Sequence, residues 1–183
     1  MMTLKPIAQM CGVTLIELIA TIGVVVIVSS ISIPSFAQFL QKSKIESSSN
    51  ELFTMLAVAR QNAIVSGKDT YVCELIGSNQ CEIDRPFGAI WNNGWLVFQD
   101  NNQNSDLDEE DNILLIHKNQ SKVGVIFNQR GRLRFRSDGS ARSAGFYICT
   151  ERSSKHILIL YSGRVRINTL KDPQRIEECR TSI

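Results

Sequence analysis

Histidine is nearly missing from this chain of 183 residues, with two in all, and proline is scarce, with four. His117 and His156 sit in separate apolar runs and make no metal-ligand cluster, and neither a nucleophile elbow nor a phosphate-binding glycine loop is present. Both histidines read as surface or satisfied strand residues, so the chain is not expected to be an enzyme or to need a cofactor. Tryptophan is limited to Trp91 and Trp95, which read as core or turn packing and not as a ligand box. No stretch rich in Pro, Gly and Ser divides the chain, and no repeat period is visible. That leaves one domain of ordinary size plus a membrane element. Charge of one sign is also missing locally. Residues 68–116 hold two basic residues against ten acids, a net of −8, and 117–183 hold fourteen basic residues against five acids, a net of +9. A basic end of this kind points to a polyanionic partner, to the acidic middle of the same chain or to a neighbouring subunit.

What is present is a long apolar run. Val13 to Ile33 is 21 residues with one charge, Glu17, and roughly 20 residues span hydrocarbon as a helix. A secretory signal peptide has a shorter apolar core followed by a small-x-small cleavage site. Here the run continues to Pro34, and the break falls ahead of it, at Gly12. Lys5 is the only charge before the run, so that side is expected to stay cytoplasmic. An acid inside a membrane is costly and usually paired, so Glu17 needs a partner. Cleavage after Gly12 would make Val13 the new terminus and Glu17 the fifth residue. The carboxylate of one copy would then neutralise the α-ammonium of another as the copies pack.

The stretch "GVTLIEL" resembles the class III leader of type IV pilins and pseudopilins, in which Gly and an aromatic or similar residue precede Thr-Leu-Ile-Glu. Val13 departs from the usual Phe. The resemblance implies that a prepilin peptidase cuts after Gly12 and N-methylates Val13, and that Glu17 guides assembly with other pilins. It also implies a bend at Pro34, in line with what proline does inside a helix.

Beyond the membrane the helix is predicted to continue. Apolar or small residues fall at Phe39, Leu40, Ile45, Leu52, Met55, Leu56, Ala59, Ala63 and Ile64. From Leu52 on they recur at three and four, one stripe of an amphipathic helix. "IESSSNEL" is poor in helix formers and is the expected place of fraying; Gly67 closes the helix. The rest reads as strands: "TYVCEL", "GWLVFQD", "NILLIHK", "VGVIFN", "GRLRFRS", "GFYICTE", "HILILYS" and "RVRIN", with Gly139 and Gly163 at turns. The predicted class is α+β and type IV pilin-like, a long N-terminal helix, half transmembrane and half amphipathic, packed on an antiparallel β-sheet domain. Its divisions are a leader (1–12), a transmembrane helix half (13–33), an amphipathic half (34–66) and a β-rich domain (67–183).

Longer stretches are similar to the FimT/GspH group of minor pilins and pseudopilins. They are "SNELFTMLAVARQNAIVSGKDTYVC", with its "AR..A" before the first strand, "GWLVFQDNNQNSDLDEEDNILLIH" and "LILYSGRVRI". The resemblance implies one of three roles: a FimT-like minor pilin for DNA uptake in natural transformation, a GspH-like pseudopilin of type II secretion, or a FimU-like subunit of the pilus tip. It places the chain in the inner membrane as a single-pass protein with a periplasmic domain, and after assembly in the pilus at the cell surface.

Four cysteines lie in the exported part, where disulfides form. Cys73 and Cys81 suit a strand-turn-strand staple, and Cys149 and Cys179 a tie from tail to sheet. Four cysteines allow three pairings, and the sequence does not choose. Cys11 leaves with the leader. Asp100, Asn102, Asn104, Asp106, Asp108 and Asp111 fall at positions 1, 3, 5, 7, 9 and 12 of an EF-hand-like calcium loop. Ser105 replaces its turn glycine, Asp111 its long bidentate Glu, and a strand precedes it. A solvated acidic hairpin loop is the alternative, and no metal is the expectation adopted.

The basic end carries the functional reading. "QRGRLRFR" sets Arg130, Arg132, Arg134 and Arg136 at period two, so on a strand they share one face while Leu133 and Phe135 point to the core. "SGRVRI" repeats the device with Arg164 and Arg166, and Lys171, Arg175 and Arg180 follow. Like charges on one face repel unless something anionic compensates, and duplex phosphates would do so. The FimT resemblance implies that the arginines of Gly-Arg-x-Arg, here Arg164 and Arg166, bind DNA; Arg132, Arg134, Lys171 and Arg175 are secondary candidates. Nothing resembles a helix-turn-helix or zinc finger, and aromatics are not interleaved with the arginines. Contact with the backbone of double-stranded DNA, without sequence preference, is expected. The alternative is a structural or tip-initiating minor pilin, or a pseudopilin, whose arginines meet protein.

Overall fold

The computed structural model of the chain describes residues 14–82, 84, 86–121, 123–150, 153–169 and 173–181, with the backbone alone at 31–35, 173, 175 and 180. Its contacts divide it into two compact units, Met1–Phe39 and Leu40–Ile183. The expected leader, Gly12 and Val13 lie outside the described residues.

Helix α1 runs Leu15–Ser66. It begins at a Thr-x-x-Glu sequence, and the Thr14 hydroxyl accepts the Glu17 N–H at 3.3 Å, half of a capping box. Glu17 therefore sits in the first turn, where the helix dipole favours an acid. In the first unit the large apolar side chains from Leu15 to Val28 are exposed. The hydroxyls of Thr21, Ser29 and Ser30 donate to the carbonyls of Leu18, Val25 and Ile27, so the helix satisfies them itself. Among the described residues no helix is long and apolar enough to cross a membrane. The span expected at 13–33 overlaps residues outside the described side chains at both ends, and the bend expected at Pro34 falls among them.

In the second unit α1 buries Ile45, Leu52, Met55, Leu56, Ala59 and Ala63, the expected stripe. Leu40 and Ile64 are exposed instead, as is Phe39 at the end of the first unit. "IESSSNEL" does not fray. Ser48 and Ser49 are buried, and the Ser48 hydroxyl meets that of Ser121 at 2.7 Å, so packing of small side chains overrides poor propensity. Gly67 ends the helix with φ of 68°, its N–H bonded to the Ala63 carbonyl.

All eight expected strands are present, divided between two antiparallel sheets. The first holds β1 (Thr70–Ile76), β2 (Gln80–Glu82), β3 (Gly94–Gln99), β4 (Asn112–Lys118) and β6 (Leu133–Phe135), in the order β2-β1-β3-β4 with β6 paired to β1. The second holds β5 (Gly124–Phe127), β7 (Ala144–Cys149), β8 (Ser154–Ile159) and β9 (Val165–Thr169), in that order. A short helix α2, Pro173–Arg180, follows. The α1 stripe, Val72, Trp95 and Val97 from the first sheet and Phe127, Phe146, Ile157 and Ile159 from the second share one core. Trp91 lies in it, 4.8 Å from the Phe127 ring and 5.1 Å from that of Phe146. Each such side chain contributes about 1.5–3 kcal/mol when fully buried.

A smaller core lies on the other face of β1 and β3: Tyr71, Cys73, Leu75, Leu96 and Phe98, with Cys81 and Leu107 against it. Both strands are buried on both faces. Cys73 bonds to Cys81 and Cys149 to Cys179. The first joins β1 to β2; the second ties α2 to β7.

Candidate functional site

"SDGS" and "YSGR" fold into the same turn. The Gly139 N–H donates to Arg136 O at 2.7 Å and the Gly163 N–H to Leu160 O at 2.8 Å, and both glycines are left-handed, at φ 77° and 73°. The two turns touch. A Cβ on Gly163 would lie 1.9 Å from the Gly139 carbonyl oxygen, so only glycine fits there. Arg60, on α1, binds the pair: its Nε donates to Gly139 O at 3.1 Å and its Nη2 to Ser162 O at 3.2 Å. Arg60 belongs to the "AR..A" segment, yet its grip on the turns was invisible in the sequence, where it is one polar residue between apolar ones. Tyr161 stands out from the same turn, 69% exposed.

Arg164 leaves this turn and Arg166 lies on β9, the edge strand of the second sheet. Val165 and Ile167 pack against the core while Arg164 and Arg166 are exposed, as period two requires. Among the described residues neither side chain has a hydrogen bond or ion pair.

The other arginines are arranged differently. Only Leu133–Phe135 is strand, with Leu133 and Phe135 buried and Arg134 exposed. Arg130, Arg132 and Arg136 therefore lie beyond its ends, yet all four line one open cleft of about 740 Å³ together with Arg142, which the sequence pattern did not single out. Two are balanced by carboxylates: Arg132 pairs with Asp106 at 3.1 Å and covers the Tyr71 ring at 5.1 Å, and Arg134 pairs with Asp69. Arg136 donates to the Ser140 hydroxyl at 3.2 Å. The nearby Asp138 carboxyl is held below its usual range by hydrogen bonds from Ser140, with the Arg136 charge a lesser cause. Arg142 donates to the Arg130 carbonyl oxygen at 3.4 Å. Lys171 lies outside the described residues, and Arg175 and Arg180 have only their backbone described, on α2.

The acidic loop folds back on the first sheet through Leu107 and a 2.8 Å contact between Ser105 and Tyr71 hydroxyls. Its oxygens accept from its own amides. Asp100 takes the N–H groups of Gln103 and Ser105, and Asp108 takes Asn102, Asn104 and Glu110. The Asn102 side chain, then the Glu110 N–H, then Asn104 lower the Asp108 pKa. Ser105, at the position of the missing glycine, takes φ of 71°. No cluster of His, Cys, Asp and Glu among the described residues is arranged to hold a metal.

His117 stacks on Trp95 at 4.7 Å and pairs with Glu51 at 3.1 Å. His156 stacks on Tyr147; burial lowers its pKa below 6.5, and its Nε2 is buried without a hydrogen-bond partner.

Compared with known families, residues 48–168 match the one described as type II transport protein GspH. No curated protein matches the chain. Among solved structures, two crystal forms of the type IV minor pilin FimU of Pseudomonas aeruginosa are similar. One is 17% identical over 71% of this chain and 92% of FimU, with a TM-score of 0.52. The other is 18% identical over 69% and 91%, with a TM-score of 0.49. At such identity the first likeness is one of fold.

Proposed function

We propose a function on one premise: the chain belongs to the GspH family. It is a minor pilin that holds DNA by its phosphate backbone through Arg164 and Arg166, for uptake in natural transformation. The observation that carries this reading is the state of those two side chains. They are exposed, Arg166 on the edge strand and Arg164 just ahead of it, and unpaired among the described residues, in a domain that gives Arg132 and Arg134 carboxylate partners. An arginine fork left open to solvent suits a phosphate, and with no groove-reading element among the described residues the contact is non-specific. The same reading includes cleavage after Gly12 by a prepilin peptidase, insertion of 13–33 in the inner membrane, pairing of Glu17 with the Val13 terminus of a neighbour, and assembly with other pilins.

A second reading rests on β4. It is the edge of the first sheet, and Ile113, Leu115 and Ile116 on it are exposed. An exposed apolar edge suits contact with another subunit, as in a structural minor pilin or pseudopilin without DNA.

The test uses the full chain in detergent and a fluorescent DNA duplex. For two phosphate contacts, affinity falls about tenfold between roughly 50 and 200 mM salt. The expected result is that this salt-sensitive binding is lost in Arg164→Gln/Arg166→Gln with the fold intact. Binding that is absent even at low salt refutes the DNA reading and leaves the structural one.

A further inference from the structure

Five arginines surround one cleft, and the domain balances only part of their charge. Asp106 answers Arg132 and Asp69 answers Arg134. Asp84 is the other carboxylate on the cleft wall, and its side chain has no ion pair among the described residues. Arg136 donates to a neutral hydroxyl, with the Asp138 carboxylate near enough to feel its charge but not ion-paired to it, and Arg142 donates to a backbone carbonyl. The side chain of Arg130 has no partner among the described residues. Like charges brought together on one wall destabilise a fold unless an anion joins them. The two paired arginines also hold the wall in place: Arg132 is fixed between Asp106 and the Tyr71 ring, and the Asp69 carboxylate that pairs with Arg134 accepts the Ser137 N–H.

The three remaining guanidinium groups come from different segments: Arg130 ahead of β6, Arg136 after it, and Arg142 beyond the Gly139 turn. A carboxylate offers two oxygens in one plane. A phosphate offers oxygens in several directions and more charge, and so can meet forks that reach one cleft from three segments. A cleft of about 740 Å³ is also of small-molecule size.

We infer that the cleft beside β6 is an anion site separate from Arg164 and Arg166, and that it takes a compact phosphate ester held by Arg130, Arg136 and Arg142. The same chemistry is offered by a free nucleotide and by the terminal phosphate of a nucleic-acid strand. The inference does not depend on duplex binding at β9.

The experiment titrates the full chain in detergent at low salt with inorganic tripolyphosphate, with ATP, and with single strands that do or do not carry a 5′-phosphate. Calorimetry follows binding and near-ultraviolet circular dichroism follows the fold. The variants are Arg130→Gln/Arg142→Gln and Arg164→Gln/Arg166→Gln; all four side chains are exposed, so the fold is expected to survive. Tripolyphosphate is expected to bind, to weaken at least tenfold in the first variant, and to be unchanged in the second. Tighter binding of ATP marks the nucleotide as the source, and tighter binding of the 5′-phosphorylated strand marks the strand end. No binding of tripolyphosphate overturns the inference, as does equal binding by the first variant. If the second variant alone loses tripolyphosphate, the anion sits at β9 and the cleft assignment is wrong.

Discussion

Replacing Gly163 by alanine tests the account of the paired turns most directly. Gly163 has φ of 73°, and an added Cβ would stand 1.9 Å from Gly139 O and 2.8 Å from Arg60 Nε. The left-handed backbone costs an L-residue about 1–2 kcal/mol. Backbone oxygen at that distance must move, and overpacking of this kind costs about 1–3 kcal/mol more. Gly163→Ala is therefore expected to lower stability by about 3 kcal/mol, within a range of about 2–5. Gly67→Ala is the control. Its φ of 68° is similar, but a Cβ there meets nothing within 4 Å, so backbone strain alone acts, about 1 kcal/mol, offset in part by the stiffer unfolded chain. The assay is guanidinium unfolding followed by fluorescence of Trp91 and Trp95, both fully buried, with the slope unchanged between variants. If the two glycine variants differ by less than about 0.5 kcal/mol, against the 1–3 kcal/mol assigned to overpacking, the contact between the turns does not have the stiffness assigned to it.

The disulfides are expected to differ in weight. Closing a loop of separation 30 with Cys149–Cys179 is worth about 3.6 kcal/mol on the chain-entropy relation, and closing a loop of separation 8 with Cys73–Cys81 about 2.5 kcal/mol. Paired serine substitutions measured by denaturant should therefore destabilise more at the first; the reverse order counts against an entropic origin. His156 gives a pH dependence. Burial lowers its folded pKa below 6.5, so the unfolded chain binds the proton more readily, and stability is full above about 6.5 and falls as pH drops below it. Unfolding free energies between pH 7.5 and 5 should fall more steeply in the natural chain than in His156→Gln, and parallel profiles would contradict the burial argument.

The elements that the sequence revealed are those whose signal is local. The stripe from Leu52 to Ala63, the stop at Gly67 and the eight strands each depend on neighbours within a turn or two. Helix α2 escaped because Pro173–Arg180 is short and highly polar. Its position depends on the bond from Cys179 to Cys149 and on Ile176 packing near it. The serines of 47–49 misled, since propensity is blind to the hydroxyl of Ser121 that meets Ser48. Period two assigned Arg134 and Arg166 their faces, because alternation is fixed by the pleat, while Arg132 and Arg164 fall just ahead of their strands. It was silent on which arginines have partners. Asp69 and Asp106 reach Arg134 and Arg132 only through the pairing of β1 with β6 and the fold-back of the acidic loop. The calcium-like spacing was real as a pattern, and the loop uses it to saturate its own amides.

Arg60 has a mechanical consequence. It joins the long helix to the carbonyls of both glycine turns, at Gly139 and Ser162. A tension that entered through the helix and left at Arg164 would cross those bonds. Without them the load would fall on β9, which is bonded to β8 along one side only and can be peeled away one bond at a time. Because the clamp spans two segments, both of its bonds would have to break before such a pull reached β9 alone.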